Sequence, residues 1–275
     1  MAIAGASLGA ARLGGIVSGH SQGLARLAMR VSSGRRVAVA ADDAAGLGVA
    51  TNLDSRVQST RAAVRNAQDG IALIEVADTA AGEVTTALQR MRELAVQAGS
   101  TFLSSQARTV LDLEFTGMRS EIARITGTVS FNGVSLVDGS VTQLLAQVGI
   151  EGASSSRMGI QLGSLTITTL GLTAAGVDLL NATNARSSLD IIDLALHSVS
   201  GTRSKLGATV NRLEASIGAT QGLSLALAAA SARVTDADFA KETSEFAKTQ
   251  ILMVAGGAGM LHHRRIEQQA LRLLG

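Results

Sequence analysis

The sequence contains no tryptophan, tyrosine, cysteine or proline, and its aromatic content of 2% is phenylalanine alone. Without cysteine the chain forms no disulfide bond, thiolate nucleophile or cysteine metal site. Because the chain has no proline, no residue of this helix-breaking type interrupts a long helix. The apolar residues are mostly Ala, Leu, Val and Ile, which suit close helix–helix seams. These absences together favour a protein of long, closely packed helices.

The charge pattern gives no sign of a nucleic-acid or membrane partner. The net charge is +2, and basic residues occur as isolated pairs such as Arg35-Arg36 and Arg264-Arg265 rather than as a stripe. No stretch approaches the roughly 20 apolar residues of a membrane span, so we expect no membrane insertion. The first fifteen residues lack the charged start and apolar stretch of a cleaved signal peptide, so we expect export by another route.

Three segments show apolar residues at the alternating spacings of three and four that mark helical seams. The second seam is interrupted only by Arg203, and the third follows a start signal at Ser104-Ser105 and is expected to end before Gly127. The first seam consists of Ile74, Ala77, Ala81, Val84, Leu88, Met91 and Ala95. The second is Leu189, Ile192, Leu196, Val199, Leu206, Val210, Leu213 and Ile217, and the third is Leu111, Phe115, Met118, Ile122 and Ile125.

The seams predict a mainly α fold, an elongated antiparallel helical bundle or coiled coil. A helix from about residue 44 to 100 would be roughly 85 Å long. Residues 128–180 mix β-branched residues with the turn signals Asn132-Gly133 and Asp138-Gly139, which predicts a small β-hairpin region of two or three strands. Within it, the polar residues 151–157 are the expected exposed tip.

Both ends of the chain are amphipathic and have no local partner in sequence. We expect the two terminal helices to pair with each other or with other molecules, and to be poorly ordered until they do. The apolar positions predicted to drive association are Leu24, Leu27, Val31, Phe239, Phe246, Ile251, Leu252, Leu261, Leu271 and Leu274.

No residue pattern indicates an enzyme, a cofactor or a metal site. Asp42, Asp43 and Asp69 stand beside small residues and glycine, as turn and capping carboxylates do, rather than as a catalytic pair. His262 and His263 are adjacent and lack the spacing of the HExxH zinc motif. We therefore predict no catalytic, cofactor-binding or metal-binding residues.

Two ordered sets of short motifs resemble the bacterial flagellin family. The N-terminal set is Ser32–Arg35, Asp42–Gly46, Arg65–Ile71, Gln89–Gln97 and Phe131–Gly133. The C-terminal set is Leu206–Ala208, Asn211–Leu213, Asp236–Ala240, Gln250–Leu252 and Leu273-Leu274. The resemblance covers about residues 24–135 and 185–275, and it leaves no room for the large variable outer domain of many flagellins.

The resemblance implies a secreted structural subunit that polymerises through its terminal helices into the extracellular flagellar filament used for motility. It also implies a domain division in which residues 1–40 plus 234–275 form the inner layer and residues 41–233 form the helical bundle with its β-hairpin region. Its implied partners are other copies of itself in a helical filament, a flagellar export chaperone, the hook-junction and filament-cap proteins, and, as a hypothesis, an innate immune receptor. The resemblance also implies a subunit-contact surface, which could be read by that receptor, at Gln89, Arg90, Arg92, Glu93, Leu94 and Glu114.

Two other functions remain open from the sequence. The first is a hook–filament junction protein, although the Asp-Asp-Pro usual there is replaced by Asp42-Asp43-Ala44. The second belongs to a different class, an amphipathic helical protein that binds a partner or a membrane surface. The scarcity of lysine on the polar faces argues against it.

Overall fold

A computed structural model describes residues 2–274, and it describes side chains for residues 11–266, 268, 269 and 272. The chain is mainly helical, as predicted, with two small antiparallel sheets. The helices are α1 (Ala2–Ser33), α2 (Ala44–Ala98), α3 (Ser105–Thr128), α4 (Ala182–Thr235) and α5 (Phe239–Leu274). The strands are β1 (Ser130–Phe131), β2 (Val134–Ser135), β3 (Gln143–Gln147) and β4 (Arg157–Gln161), with one 3₁₀ turn at Ser154–Ser156.

The chain divides into two compact units. Unit 1 contains Met1–Val57 and Leu225–Gly275, and unit 2 contains Gln58–Ser224. The first turns of α2 and the last turns of α4 therefore group with the terminal helices, whereas the sequence-based division fell at residues 40 and 234. The role of the terminal helices as an inner layer stays a prediction.

In unit 2, ion pairs between the helices give the direction of packing. Asp78 of α2 pairs with Arg203 of α4, and further along α2 Arg92 pairs with Asp193, each at 2.7 Å. Because the α4 number falls as the α2 number rises, these two helices are antiparallel. Arg108 of α3 donates to the Ala98 carbonyl at 2.9 Å, where α2 ends, so α3 folds back along α2. The predicted antiparallel bundle is confirmed.

The three predicted seams form the core of unit 2. All seven residues of the first seam are buried, as are Phe115, Ile122, Ile192, Val199, Leu206 and Leu213 of the other two. Arg203, the interruption in the second seam, lies at the edge of the core, where it reaches Asp78. The Ser104 hydroxyl accepts from the Ala107 amide at 3.2 Å and begins α3 at the predicted place, and α3 ends at Thr128 rather than before Gly127.

The β region confirms one predicted hairpin turn, corrects the role of a second turn, and contains four strands where two or three were expected. Asn132 (φ 48°) and Gly133 (φ 79°) join β1 to β2 with two left-handed residues, as a type I′ turn requires. The Asp138-Gly139 turn does not join paired strands, because the Asp138 carboxylate instead accepts from the Ser140 amide at 2.9 Å in a local turn. The polar segment 151–157, expected as an exposed tip, lies after β3 and ends at the first residue of β4, and all of its residues except Ser156 are exposed.

The segment after β4 lies within residues 128–180, where strands were expected, and it forms turns instead. Leu165, Leu170 and Leu172 are all buried, a spacing that an extended strand could not aim at one core. The Thr169 amide donates to the Thr166 hydroxyl at 3.3 Å, which closes the turn locally. The hydroxyl groups of its β-branched threonines therefore take part in turns rather than in strands of a sheet.

Candidate interface surfaces

The terminal helices α1 and α5 pair with each other in unit 1. Near the start of α5, Thr249 lies opposite Gly23, and further along α5 Gly256 lies opposite Val17, so the pair is antiparallel. A Cβ atom on Gly256 would lie 3.0 Å from the Val17 methyl group. Glycine at this position therefore permits the two backbones to approach closely.

Two paired helices bury one seam and leave the rest of their apolar surface outside. Among the predicted association residues, Leu24, Leu27, Val31 and Phe246 are half-buried, whereas Phe239, Ile251, Leu252 and Leu261 are exposed. Val254 and Ile266 of α5 and Ile16 of α1 are exposed as well. The side chains of Leu271 and Leu274 lie outside the described residues. The α1–α5 pair thus carries an outward apolar face, which we call the terminal face, formed by Ile16, Ile251, Leu252, Val254 and Leu261.

A polar clamp holds the segment between α1 and α2 against the junction of α4 and α5. The Arg36 guanidinium donates to the Val234 carbonyl at 2.7 Å, and the Arg36 amide donates to the Thr235 carbonyl at the same distance. The Ala237 amide donates to the Gly34 carbonyl at 2.9 Å, and Gly34 has φ +67°. This clamp holds the end of α1 beside the start of α5.

Arg30 at the end of α1 reaches two carboxylates beside this clamp. Its guanidinium lies 3.3 Å from Asp42 and 4.0 Å from Glu242. The Asp42 carboxylate also accepts from the amides of Ala38 and Val39, and these backbone bonds, with Arg30, lower its pKa. Asp43 accepts from the Gly46 amide at 2.8 Å and caps α2, so both aspartates act in turn and cap formation, as predicted. Sequence reasoning missed Arg30, because nothing distinguishes it there except that it is a basic residue on an apolar helix.

A second surface lies on unit 2, where the sequence placed the subunit-contact residues. Arg90 is within 2.6 Å of Glu114 on α3 and within 2.9 Å of Glu93 on its own helix, and hydrogen bonds to Glu114 and then Glu93 raise its pKa. Arg92 turns instead toward Asp193 of α4. Gln89, Arg92 and Glu93 line a shallow depression of about 550 Å³ with Val96. We call Gln89, Arg90, Arg92, Glu93 and Glu114 the polar contact face.

Leu94 is not part of that face. Its side chain is 1% exposed and belongs to the core cluster of unit 2. The physical reason is its position three residues after Met91 of the first seam, which places it on the core side of α2. Leu94 therefore supports the polar contact face from beneath rather than offering a surface of its own.

The structure gives no catalytic or metal-binding role to Asp69 or to the described histidines. Asp69 was expected in a turn or cap, and it lies instead on an exposed side in the middle of α2. Among the residues with described positions, no group of His, Asp and Glu could hold a metal ion. Across the described residues, none of the helices combines the length and apolarity needed to cross a membrane.

Both the N-terminal and the C-terminal halves of the chain are similar to known sequences. Residues 15–142 match the pattern described as the bacterial flagellin N-terminal helical region, and residues 189–274 match the flagellin C-terminal helical region. The chain is 39% identical over 245 residues to a flagellin of Halalkalibacterium halodurans, covering 89% of each chain. It is 31% identical over 257 residues to a flagellar filament 33 kDa core protein of Treponema phagedenis, covering 89% of this chain and 90% of that protein.

Two solved structures resemble the fold. Bacillus cereus flagellin is 26% identical, with a TM-score of 0.50, over 56% of this chain and 88% of the other. A putative flagellar hook-associated protein from Vibrio parahaemolyticus has a TM-score of 0.60 over 71% of this chain and all of its own, but at 17% identity it shows the fold alone. With both terminal regions matched and relatives above 30% identity along most of its length, this chain belongs to the bacterial flagellin family.

Proposed function

We propose that this chain is the structural subunit that assembles into the extracellular filament of the bacterial flagellum and so serves motility. The observation that carries the proposal is the terminal face, an exposed apolar surface on a helix pair that the chain itself leaves uncovered. Covering such a surface contributes roughly 25 cal/mol for each Å² of apolar area removed from water. A neighbouring copy of the chain supplies the matching cover.

Assembly into a filament follows if the terminal face meets a different surface on the next copy. A head-to-tail contact of this kind repeats without limit when its rotation does not close into a ring, and the product is a helical filament. The clamp of Arg36 and Ala237 holds the end of α1 beside the start of α5, so each copy offers its face in the same orientation. The role is structural rather than catalytic.

The polar contact face is proposed as a second contact between subunits. Its charges are largely paired within the chain, Arg90 with Glu114 and Arg92 with Asp193, which favours a neutral, orienting contact over a strongly charged one. An innate immune receptor that reads the same face in the free monomer is a further hypothesis. It predicts that Arg90→Ala weakens receptor signalling by the monomer, and unchanged signalling would remove it.

Partners that act before and during assembly are also proposed. An export chaperone would cover the apolar surface of α5 until the chain leaves the cell, and the hook-junction and filament-cap proteins would contact the first and last copies. Between filament subunit and hook–filament junction protein, the similarity to a flagellin and to a filament core protein at 31–39% identity favours the filament subunit.

Complementation of a bacterium that lacks its own flagellin tests the proposal. The full chain should restore filaments, seen by electron microscopy, and swimming in soft agar. Ile251→Asp places a charge on the terminal face and should abolish both, whereas Gln250→Asp adds the same charge at the neighbouring polar position and should retain them. Export of the full chain into the medium with no filament on the cells would contradict the proposal.

A further inference from the structure

The α1–α5 pair is charged unevenly along its length. Near the clamp, Arg30 lies beside the carboxylates of Asp42 and Glu242. Helix α1 contains no aspartate or glutamate, and after Glu245 the sequence of α5 contains a single acidic residue, Glu267. The end of the pair that lies away from the clamp therefore carries an excess of positive charge.

Exposed arginines from both helices supply this charge, and we call them the basic end. They are Arg12 of α1 and Arg264, Arg265 and Arg272 of α5. Val17 of α1 lies opposite Gly256 of α5, and the two helices are antiparallel. Arg12 is therefore about level with Leu261, since each lies five residues beyond that contact. The pairing thus brings arginines from opposite ends of the sequence together, which the net charge of +2 for the whole chain does not reveal.

One exposed stripe of α5 is apolar along its first part and basic along its second. Its members follow one another at intervals of three, four or seven residues, which keeps them on one side of the helix. They are Ile251, Val254, Leu261, Arg265 and Arg272. Gly256, which lies against Val17 of α1, falls on the other side of α5, so the stripe faces outward. Ile266, beside Arg265, is 53% exposed and adds apolar surface among the arginines.

This combination of charge and apolar surface favours an anionic lipid surface over a nucleic acid. Anionic lipid headgroups attract arginine side chains, and apolar residues between the arginines can enter the boundary between headgroups and acyl chains. A nucleic acid would use the arginines and leave Leu261 and Ile266 without a contact. Between Phe246 and the end of the chain there is no Phe, Tyr or Trp on which a base could stack.

We propose that the basic end of the free chain binds the surface of an anionic lipid bilayer. Arg265 and Arg272 contact the lipid phosphates, and Leu261 and Ile266 lie at the edge of the acyl chains, so that the helix pair rests in the plane of the surface. The inference goes beyond the proposed function and does not depend on it, because it concerns the free chain. In the proposed filament, lipid and the neighbouring copy compete for the same side of α5.

Flotation of the unseeded monomer with vesicles measures this binding. Vesicles made of equal parts of phosphatidylglycerol and phosphatidylcholine should carry the full chain to the top of a density gradient, and vesicles of phosphatidylcholine alone should not. Raising the ionic strength should release the chain, because salt screens charges at a surface. Equal binding to the two kinds of vesicle would overturn the inference.

Matched charge variants test the basic part of the stripe. The double variant Arg265→Gln with Arg272→Gln should lower the ratio of vesicle-bound to free chain by about tenfold or more. The control is Lys205→Gln with Arg212→Gln, which removes the same charge from exposed positions of α4 in unit 2. This control should change the ratio by less than about twofold, and an equal loss in both double variants would overturn the inference.

Matched leucine variants test the apolar part. Leu261→Ser should lower the same ratio roughly fivefold, because less apolar surface enters the bilayer. Leu194→Ser, at a leucine of similar exposure on α4, is the control and should leave the ratio unchanged, since Leu261 is 63% and Leu194 67% exposed. If a DNA duplex binds as tightly as the anionic vesicles and Leu261→Ser weakens neither, the basic end is a general site for polyanions and the inference is overturned.

Two further measurements keep the result interpretable. Circular dichroism at 222 nm shows whether each variant keeps its helices, and if the double arginine variant does not, Arg265→Gln alone should lower the ratio by about fivefold. Filament growth of the same unsubstituted chain is scored separately. A chain that forms filaments and ignores anionic vesicles overturns the lipid inference while the proposed function stands, and a chain that binds the vesicles without forming filaments does the reverse.

Discussion

Two glycines in the same helix should respond to the same substitution with opposite signs. Gly70 and Gly82 both lie inside α2 and within unit 2. A Cβ atom on Gly70 would lie 3.2 Å from Ile160 of β4, 3.5 Å from Leu213 of α4 and 3.8 Å from Ala146 of β3, whereas one on Gly82 would meet nothing within 4 Å. Gly70 thus allows the β3–β4 hairpin and α4 to close on α2, and Gly82 serves no such contact.

The magnitudes follow from helix propensity and overpacking. Replacing glycine by leucine in a helix interior gains about 0.5–1 kcal/mol, so Gly82→Leu should stabilise the protein by that amount. At Gly70 the same gain is outweighed by overpacking, which costs about 1–3 kcal/mol in a filled core. We therefore expect Gly70→Leu to lower the free energy of unfolding, and the two variants to differ by roughly 1–3 kcal/mol.

Urea unfolding of the monomer measures the difference. Since the chain has no tryptophan or tyrosine, the signal should be helical circular dichroism at 222 nm rather than fluorescence, with midpoints compared at equal slope. A shift of both midpoints in the same direction by the same amount would refute the close packing around Gly70.

Three further substitutions test separate parts of the fold. Asp43→Ala removes the cap of α2 and should cost about 1 kcal/mol of unfolding free energy in thermal melts, while Asn52→Ala, exposed on the same helix, should change little. Phe115→Ala should cost about 3–5 kcal/mol in urea unfolding, whereas Leu113→Ala on the outer side of α3 should cost under about 0.5 kcal/mol; similar losses would contradict the orientation of α3. Arg203 lowers the pKa of Asp78 chiefly through its hydrogen bond, so this pair stabilises the fold above the unfolded-state pKa and loses that contribution as pH falls through the folded-state pKa. The deficit of Arg203→Gln, under about 1 kcal/mol at neutral pH for so exposed a pair, should shrink below about pH 4, and a deficit independent of pH would refute the pairing.

The sequence predicted the helical bundle because its information is local and repeated. Spacings of three and four along the first seam place Leu88 and Met91 on one side of a helix whatever that side meets. Ser104 and Asn132-Gly133 are likewise local signals, and each produced the structure expected of it. The same local logic could have placed Leu94, which follows Met91 by three residues, in the core. The resemblance to a family identified Leu94 as a candidate position, but it did not show that the side chain is buried.

Contacts between distant residues could not be predicted. Arg36 and Val234 are 198 residues apart, and no sequence pattern in either segment predicts that the two are in contact. From the sequence alone, Gly70 would only be expected to destabilise a helix. Its role becomes clear only from the structure, where Ile160 and Leu213 pack against it. The turns of the Ser164–Leu172 segment could not be predicted either. Its β-branched residues have strand propensity, whereas its buried leucines and a hydrogen bond from an amide to a hydroxyl group determine the turns.

The most direct test of terminal-helix assembly is electron microscopy of purified protein seeded with filament fragments. The full chain should grow long helical filaments, and a variant lacking residues 240–275, which removes nearly all of α5, should remain monomeric while keeping the helicity of unit 2. Filaments from the shortened chain, or none from a folded and monodisperse full chain under the same seeding, would contradict the assignment of assembly to the terminal helices.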